Sequence, residues 1–426
     1  MLIFRALSYR NYRLFFFGQS ISLIGSWMQQ IAVTWLVYRM TQSPFLLGLV
    51  GFLGTIPSFL LTPFAGVLSD RWSRYRILLV TQTVSMLQAL VLAVLVLTGL
   101  PSVWPVLFLT LILGCVNAVD MPARHAFVSD MVEHKEDLGY VIAMNSALFN
   151  FARLVGPSLA GFLIAWSGEG MCFLINGLSY LAVIAALLGM NLTAVQARND
   201  HPGVLREFGE GVAYVFHDRK IRAILLLLAL CGILGIPYVT VMPFFAGDVL
   251  HGGPRVLGLL MSAMGTGALA GAVYFASKRS HGGLMRLIPM AMAVIGLGYI
   301  GLSWCRSVPI ALFFMFVIGV GMVVHFAASN TEVQTVVEDS KRGRVVSLLI
   351  FSVMGMMPFG SLLAGALVDM LDIERVFLTG GIGCLLGAGW FIRIMRREGN
   401  QPAGLKNGGA ALIPSDRAPR STSDGE

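Results

Sequence analysis

Residues 66–76 run Gly66-Val67-Leu68-Ser69-Asp70-Arg71-Trp72-Ser73-Arg74-Tyr75-Arg76, a short charged segment between two apolar runs. The apolar runs cover about residues 45–68 and 77–98, and a helix needs about 20 apolar residues to cross a bilayer. Because the four charges of this segment cannot lie in hydrocarbon, we predict a tight hairpin at a membrane face. The chain on either side of the hairpin is therefore predicted to be helical and embedded in a membrane.

The charged residues of this hairpin suggest a role beyond connection. Asp70 can accept hydrogen bonds from a helix N-terminus or pair with a nearby arginine. Arg71, Arg74 and Arg76 favour the cytoplasmic side of a membrane. The alternative interpretation is a solvated basic loop that only fixes the topology. The spacing alone leaves both interpretations open.

The hairpin resembles the loop between helices 2 and 3 of the major facilitator superfamily, which is written G-x-L-x-D-R-x-x-R-[RK]. Tyr75 departs from the last basic position of that pattern, and Arg76 follows one residue later. In the family the loop is a conformational latch, whose aspartate engages the neighbouring helix in one state and releases it in the other. The resemblance implies the same role here. The residues that match as they stand are Gly66, Leu68, Asp70, Arg71 and Arg74.

The composition agrees with a membrane protein. The chain of 426 residues is 56% hydrophobic and 12% charged, with a mean hydropathy of +0.78, whereas soluble proteins carry about 25% charged residues. Apolar runs with short connections predict an all-α integral membrane fold of twelve transmembrane helices. The five cysteines show no metal-like spacing, so we predict neither a metal site nor a disulfide. No cofactor is predicted either.

The chain repeats itself in two halves. Gly156-Pro157-Ser158-Leu159-Ala160-Gly161 in the predicted fifth helix corresponds to Gly360-Ser361-Leu362-Leu363-Ala364-Gly365 in the eleventh, at an offset of 204. Such a repeat is typical of transporters built from two pseudo-symmetric six-helix bundles with a site near the midplane between them. We predict a first bundle at 1–192, a cytoplasmic amphipathic linker at 193–220, a second bundle at 221–397 and a disordered cytoplasmic tail at 398–426.

The distribution of basic residues predicts the orientation. With twelve spans, 25 of the 30 Lys and Arg residues fall on the side that carries both termini, 4 fall on the other side, and Arg153 lies within a span. Cytoplasmic loops carry an excess of Lys and Arg. Both termini are therefore predicted to be cytoplasmic, in the inner membrane of a bacterial cell.

Polar residues form a stripe along the first predicted helix, at about 14–38. Residues spaced by three or four positions share one helix face, and amides that face lipid are costly. The stripe therefore faces either a central cavity or neighbouring helices, where hydrogen bonding between helices is the alternative. The candidate cavity residues of this helix are Gln19, Ser26, Trp27, Gln29 and Gln30.

The fifth predicted helix, at about 138–165, combines a buried cation with a Gly-Pro pair. Arg153 lies about 15 residues into it, roughly 20 Å from the cytoplasmic end at 1.5 Å per residue. A cation at mid-membrane costs a few kcal/mol, so it must face a cavity, a carbonyl or a carboxylate. Asn145 and Asn150 are further cavity candidates. Gly156, Pro157 and Gly161 resemble the hinge signature of superfamily antiporters.

A longer resemblance narrows the family. Met121-Pro122-Ala123-Arg124, Asn145-Ser146-Ala147-Leu148 and Ala152-Arg153-Leu154-Val155-Gly156-Pro157 together resemble one bacterial branch, which includes the enterobactin exporter and macrolide-efflux proteins. The resemblance implies an exporter, with a monomer as the expected assembly. It does not name a substrate.

Ionisable groups within the bilayer are the candidates for proton coupling. His325 and Glu332 share a face of the predicted tenth helix, and Asp120 lies near the end of the fourth. Glu332 can instead form a structural pair with Arg342 or Arg344. The first helix offers no acid, so the coupling residue stays open between Asp120, His325 and Glu332.

Three functions compete on this sequence. The first is a proton-coupled exporter of an amphiphilic small molecule such as a drug, a macrolide or a siderophore. The second is an importer or facilitator on the same fold, and the third is a membrane sensor or enzyme. The sequence holds no P-loop and no convincing nucleophile with its base, which disfavours an enzyme or direct use of ATP. The predicted partners are the small-molecule substrate, protons and the lipid bilayer, and no nucleic acid.

Overall fold

The computed structural model describes residues 6–132, 134–190, 204–278 and 283–399. Within these ranges the side chains of residues 62–71, 135, 204–208, 210–211, 339–340 and 398–399 lie outside the described part, as does the predicted tail beyond residue 399. Every regular element in the described ranges is helical. The α-helices are α1 (Arg10–Thr41), α2 (Pro44–Arg71), α3 (Arg74–Leu97), α4 (Val103–Asp130), α5 (Leu138–Ser167), α6 (Glu169–Leu188), α7 (Val204–His217), α8 (Arg219–Leu230), α9 (Met242–Phe244), α10 (Pro254–Ser277), α11 (Leu284–Ser303), α12 (Val308–Val336), α13 (Asp339–Met354), α14 (Met357–Leu371) and α15 (Ile373–Gly399).

Twelve of the segments cross the bilayer. Eleven are long and apolar enough by length and composition among the described residues, including the composite spans Arg219–Val249 and Lys341–Leu371. Helix α1 is the twelfth span: it has 32 residues, and its polar stripe makes it less apolar than the others. The seventh span joins α8 to α9 through turns at Cys231–Gly235 and Pro237–Val241, because Pro237 has no N–H for a continuous α-helix.

The spans form two bundles of six helices. In the first bundle α1 packs on α5 and α6, α3 on α4 and α6, and α2 on α4. In the second bundle α12 packs on α10 and α11, and α11 also packs on α15. The most extensive contacts between the bundles are those of α5 with α10 and of α2 with α14. The repeat relates α5 to α14 and α2 to α10, so these two contacts are equivalent. The fold is therefore the pseudo-symmetric arrangement that the sequence predicts.

The molecule has two membrane faces. On the basic face the connections between helices carry most of the Lys and Arg residues, and the other face is called the opposite face. On the basic face, α2 ends at Arg71 and α3 begins at Arg74, so the charged hairpin is a two-residue connection. On the opposite face, α1 ends at Thr41 and α2 begins at Pro44. The backbone turns there at Gln42, which has a φ of 48° and donates its N–H to the Tyr38 carbonyl at 2.7 Å. With an even number of spans, α1 begins and α15 ends on the basic face.

Helix α7 lies within the predicted linker and packs on α13. Val215 is buried, whereas Phe216, the next residue of this helix, is 65% exposed. The Lys341 ammonium lies 4.7 Å from the centroid of the Tyr214 ring, a cation–π contact. Residues 191–203, and the side chains of Leu205 and Phe208, lie outside the described part.

Candidate functional site: the interface between the bundles

The first contact between the bundles is a crossing of two glycines. A Cβ atom at Gly161 of α5 would lie 2.6 Å from the Pro254 carbonyl oxygen and 3.0 Å from the Cα atom of Gly258 in α10. A Cβ atom at Gly258 would lie 2.6 Å from the Pro157 carbonyl oxygen. The two backbones therefore touch directly, which small residues permit in membrane helices. This crossing is in the half of the bilayer next to the opposite face.

The second contact repeats the first. A Cβ atom at Gly48 of α2 would lie 2.6 Å from the Ser361 carbonyl oxygen and 2.9 Å from the Cα atom of Gly365 in α14. A Cβ atom at Gly365 would lie 2.5 Å from the Pro44 carbonyl oxygen. The two crossings thus use equivalent positions of the two halves, and both hold the bundles together near the opposite face.

Hydrogen bonds reinforce these crossings. The Tyr38 hydroxyl of the first bundle donates to the Asp248 carboxylate of the second at 2.8 Å. The Ser262 hydroxyl donates to the Leu154 carbonyl at 2.9 Å and lies 2.7 Å from the Ser158 hydroxyl. Among the described residues, these bonds between the bundles lie on the opposite-face side of the bilayer. We call the two glycine crossings and these hydrogen bonds the closed gate.

The candidate Arg153 lies directly beneath the closed gate. Its carbonyl oxygen would be 3.2 Å from a Cβ atom at Gly265 of α10, so its backbone is at the contact between the bundles. Its Nε atom is buried and has no hydrogen-bond partner. In the described part of the chain no carboxylate forms an ion pair with it. Of the three environments that the sequence allows, the structure therefore provides neither a carboxylate nor a carbonyl for Nε.

Helix α1 presents two polar faces with different partners. Gln29 is 2% exposed, and both ends of its amide are bonded: Nε2 donates to Gln88 at 2.8 Å and Oε1 accepts from Asn176 at 2.8 Å. Gln19 is also buried, and its Oε1 has no partner. These contacts are inside the first bundle, so the geometry of Gln29 favours hydrogen bonding between helices over a cavity position.

The adjacent face of α1 turns towards the second bundle. Trp27, Gln30, Thr34 and Tyr38 fall on one face by their spacing, and Tyr38 contacts Asp248 and Phe244 of the second bundle. Gln30 is exposed and Trp27 is half-buried. Gln30 and Trp27 are therefore the α1 candidates that the structure places towards the space between the bundles.

The remaining cavity candidates are Ser26, Asn145 and Asn150, which differ in their hydrogen-bond partners. The Ser26 hydroxyl donates to the Ser22 carbonyl at 2.9 Å and lies 3.3 Å from the Tyr180 hydroxyl. Asn145 accepts from the Tyr12 hydroxyl at 3.3 Å, and Asn150 donates to its own helix at the Ser146 carbonyl at 2.8 Å. Asn145 and Ser26 are thus tied to helices of the first bundle, while Asn150 keeps its amide oxygen on the face of α5 that also carries Arg153.

The predicted hinge residues divide between two contacts. A Cβ atom at Gly156 would lie 2.5 Å from the Cβ atom of Trp27, so Gly156 allows α1 to pack on α5. Gly161 and the Pro157 carbonyl belong to the crossing with α10. Helix α5 continues through Pro157.

Asp120 is buried, and both of its carboxylate oxygens accept hydrogen bonds. Its Oδ1 atom accepts from the Thr81 hydroxyl at 2.6 Å and from the Gln82 amide at 2.8 Å. Its Oδ2 atom accepts from Arg124 one turn later in α4. Both oxygens are therefore engaged inside the first bundle, which resembles a structural ion pair.

The two candidates on α12 have different surroundings. His325 is 1% exposed, and its Nδ1 lies 3.1 Å from the Ile288 carbonyl of α11, while its Nε2 has no partner. A carbonyl can only accept, so Nδ1 carries the proton. Glu332 is half-buried one turn from the end of α12. Among the described residues no ion pair joins Glu332 to Arg342 or Arg344, although both arginines have partners.

Only part of the predicted latch is described. The side chains of Gly66, Asp70 and Arg71 lie outside the described part. Arg74 Nη1 donates hydrogen bonds to both carboxylate oxygens of Asp130, at the end of α4, at 2.8 and 2.7 Å. Arg76 is exposed. Arg74 therefore links α3 to α4 within the first bundle.

The sequence reasoning missed Gly48, Gly258, Tyr38 and Asp248. A signal for the glycines was present: Pro44-Phe45-Leu46-Leu47-Gly48-Leu49 and Pro254-Arg255-Val256-Leu257-Gly258-Leu259 share the pattern P-x-x-L-G-L at an offset of 210. Both copies begin a transmembrane helix. Tyr38 and Asp248 carry no comparable pattern, because a single hydrogen bond between distant positions leaves no period in a sequence.

Solved structures share the fold. The chain matches a bacterial homologue of the human lysosomal transporter Spinster, in an inward-facing and unoccupied conformation, with a TM-score of 0.73, 13% identity and coverage of 91% of this chain and 97% of that one. It matches the nucleoside transporter NupG with a TM-score of 0.70, 14% identity and coverage of 92% and 99%. These matches support the fold and no more.

Sequence relatives extend over nearly the whole chain. It is 25% identical to the staphyloferrin A transporter of Staphylococcus aureus, over 89% of this chain and 95% of the relative. It is 24% identical to macrolide efflux protein A of Streptococcus pyogenes (88% and 94%) and 26% identical to the multidrug efflux pump Tap of Mycolicibacterium fortuitum (85% and 90%). The family described as transmembrane secretion effector matches residues 3–407. The chain therefore belongs to this family of the major facilitator superfamily and is a membrane transporter, not an enzyme.

Proposed function

We propose that the protein is a proton-coupled exporter of an amphiphilic small molecule that works by alternating access. The observation that carries the proposal is the position of the closed gate. The described hydrogen bonds and glycine crossings between the bundles gather near the opposite face, with Arg153 beneath them. This distribution supports a state that is closed at the opposite face, and we infer that such a state loads its substrate from the basic face, as an exporter requires.

The proposed orientation places the basic face in the cytoplasm. The excess of Lys and Arg on this face supports both termini being cytoplasmic, in the inner membrane of a bacterial cell. The gate would then close the outer side. A monomer suffices for this mechanism, because each half of the repeat supplies one bundle.

The proposed substrate class follows the relatives. Their names describe a staphyloferrin A transporter, a macrolide efflux protein and a multidrug efflux pump, and we infer an organic small molecule as the substrate of this protein. Trp27 and Phe149 meet edge to face at 5.6 Å between α1 and α5, next to Asn150 and Arg153. An apolar wall with a few polar groups suits such a molecule.

Glu332 is the first candidate for proton coupling. A coupling group needs a protonation state that changes between the two conformations, and a carboxylate without an ion pair can provide this. Asp120 is second, because its two oxygens are engaged by three donors. His325 is the third candidate: its fixed Nδ1 proton leaves Nε2 as the site that would accept another.

We further propose that the hairpin of Gly66, Asp70 and Arg71 is the latch of the cytoplasmic side. Arg74 and Arg76 would contribute to it from α3. During transport the gate would open while the latch engages the second bundle. Gly156, Pro157 and Gly161 would let α5 bend as it leaves α10.

The competing function is an importer or facilitator on the same fold. Proteoliposomes with an imposed pH gradient separate the two, because a proton-coupled exporter moves substrate against its gradient only when protons flow the other way. Candidate substrates can first be found by comparing the susceptibility of a deletion strain and an overexpressing strain to antibiotics, dyes and siderophores. Transport that is unaffected by a pH gradient of either sign would refute the proton-coupled proposal.

A further inference from the structure

Arg153 is a cation inside the bilayer that lacks a counter-charge in this state. Its Nε atom is buried without a hydrogen-bond partner, and none of the described ion pairs includes it. Two acids of the described spans have other partners: Asp120 pairs with Arg124, and Asp248 accepts a hydrogen bond from the Tyr38 hydroxyl. No described residue of the first bundle therefore forms an ion pair with this guanidinium.

A permanent charge in this position is costly for the empty protein. Arginine keeps its proton under all conditions relevant to proteins, so it cannot become neutral as a buried lysine can. An ionisable group that costs stability within a membrane span is by default a site for something that binds it. Guanidinium groups bind carboxylates through two parallel hydrogen bonds.

The position of Arg153 on α5 also determines which side chains would surround an acidic group bound to it. Side chains on a helix lean towards its N-terminus, so the Arg153 side chain points from the gate back along α5, towards the turn of Phe149 and Asn150. Phe149 is 39% exposed and meets Trp27. A ligand whose acidic group reaches Arg153 would place its apolar part against these two rings.

We propose that Arg153 binds a carboxylate of the transported molecule, so that the substrate is an amphiphilic organic anion. This inference rests on the proposed transport function and specifies its substrate class. The substrate provides the charge that the bundle lacks, directly below the Leu154 carbonyl and Ser262 hydroxyl of the gate. The same guanidinium disfavours amphiphilic cations, so organic acids are transported in preference to organic cations.

The first test needs no ligand. The thermal unfolding of the full-length Arg153→Gln protein in nanodiscs is compared with that of the wild type and of Arg153→Lys. If the cation is unpaired, the Gln variant unfolds at a higher temperature than the wild type. If Arg153 instead holds a structural partner, its removal lowers the unfolding temperature, and the proposal is wrong.

The second test measures equilibrium binding with probes of one shape and different charge. The probes are 2-naphthoate, its methyl ester and the matching naphthylmethyl-trimethylammonium cation, together with citrate and trimethyl citrate. We expect the wild type to bind at least one acid more tightly than its ester. Arg153→Gln should bind that acid about tenfold or more weakly, because the loss of even one charge-assisted hydrogen bond weakens binding by about this factor. Arg153→Lys should retain part of the affinity.

The control is Arg286→Gln, which removes an exposed arginine at the basic end of α11 and should bind the acids as the wild type does. If no acid binds better than its ester, or if Arg153→Gln binds the acid as tightly as the wild type, the proposal fails. Equilibrium binding tests only the role of Arg153, whereas proton-driven flux tests the transport proposal. Either proposal can therefore be refuted without the other.

Discussion

The Tyr38 hydroxyl and the Asp248 carboxylate lie 2.8 Å apart, on α1 of the first bundle and at the end of the seventh span in the second. The bond joins residues that are separated by 210 positions in the chain. It lies near the opposite face, beyond the glycine crossings, and any motion that separates the bundles on this side must break it.

Replacement of Tyr38 by Phe should therefore weaken the closed gate. A hydrogen bond to a charged group contributes about 1.5–3 kcal/mol, and its loss shifts the population towards the state open to the opposite face. The measurement is labelling of a single cysteine at position 30, Gln30→Cys in a cysteine-free background, with an impermeant maleimide added from that side. We expect faster labelling with Tyr38→Phe.

The matched control is Tyr180→Phe, whose hydroxyl contacts Ser26 inside the first bundle. It should leave the labelling rate unchanged. Equal rates for wild type and Tyr38→Phe would show that the Tyr38–Asp248 bond does not hold the gate.

The glycine crossing of α5 and α10 gives a second prediction. In Gly258→Ala the new Cβ atom would lie 2.6 Å from the Pro157 carbonyl oxygen, so the two helices must separate. We expect reduced transport and faster labelling at position 30 from the opposite face, because the gate can no longer close fully.

Gly139→Ala serves as its control, since a Cβ atom at Gly139 of α5 would meet no atom within 4 Å. Alanine is also the better helix former, so this variant should fold and transport as the wild type does. If Gly258→Ala transports normally, the crossing tolerates separation and is not part of the gate.

The fold could be predicted from the sequence because it depends on periods and lengths. Apolar runs of bilayer length, the charged hairpin and the repeat at Gly156–Gly161 each extend over many residues. The structure confirms the all-helical fold of two six-helix bundles. The distribution of Lys and Arg predicts an orientation in the membrane, which stays a prediction.

The site was harder to predict, because a helix face does not identify its neighbour. Gln29 and Gln30 are adjacent in the polar stripe of α1, yet Gln29 is bonded inside the first bundle while Gln30 is exposed on the face that turns to the second. The choice between cavity and helix contact depends on how the bundles pack. The structure shows this packing at the two glycine crossings, where each P-x-x-L-G-L segment contacts a helix of the other bundle.

This difference between neighbours leads to a third prediction. Gln29→Leu leaves the amide groups of Gln88 and Asn176 without their partner, so we expect a loss of about 1–2 kcal/mol in the free energy of unfolding. Gln30→Leu removes no described hydrogen bond and should leave stability unchanged. Thermal unfolding in nanodiscs compares the two variants. Equal stability of both would place Gln29 outside the packing network.

The last prediction concerns the two carboxylates that compete for proton coupling. Glu332→Gln removes a carboxylate that takes part in none of the described ion pairs. The variant should therefore fold normally, lose proton-driven transport and keep exchange of substrate across the membrane without a pH gradient. Asp120→Asn instead removes the counter-charge of Arg124 in a buried network, and breaking a buried pair is destabilising, so we expect reduced stability and a parallel loss of both activities. Proteoliposome flux with and without a pH gradient, normalised to folded protein, distinguishes the two. Full proton-driven flux in Glu332→Gln would exclude Glu332 as the coupling group, and selective loss of proton-driven flux in a stable Asp120→Asn would assign the role to Asp120.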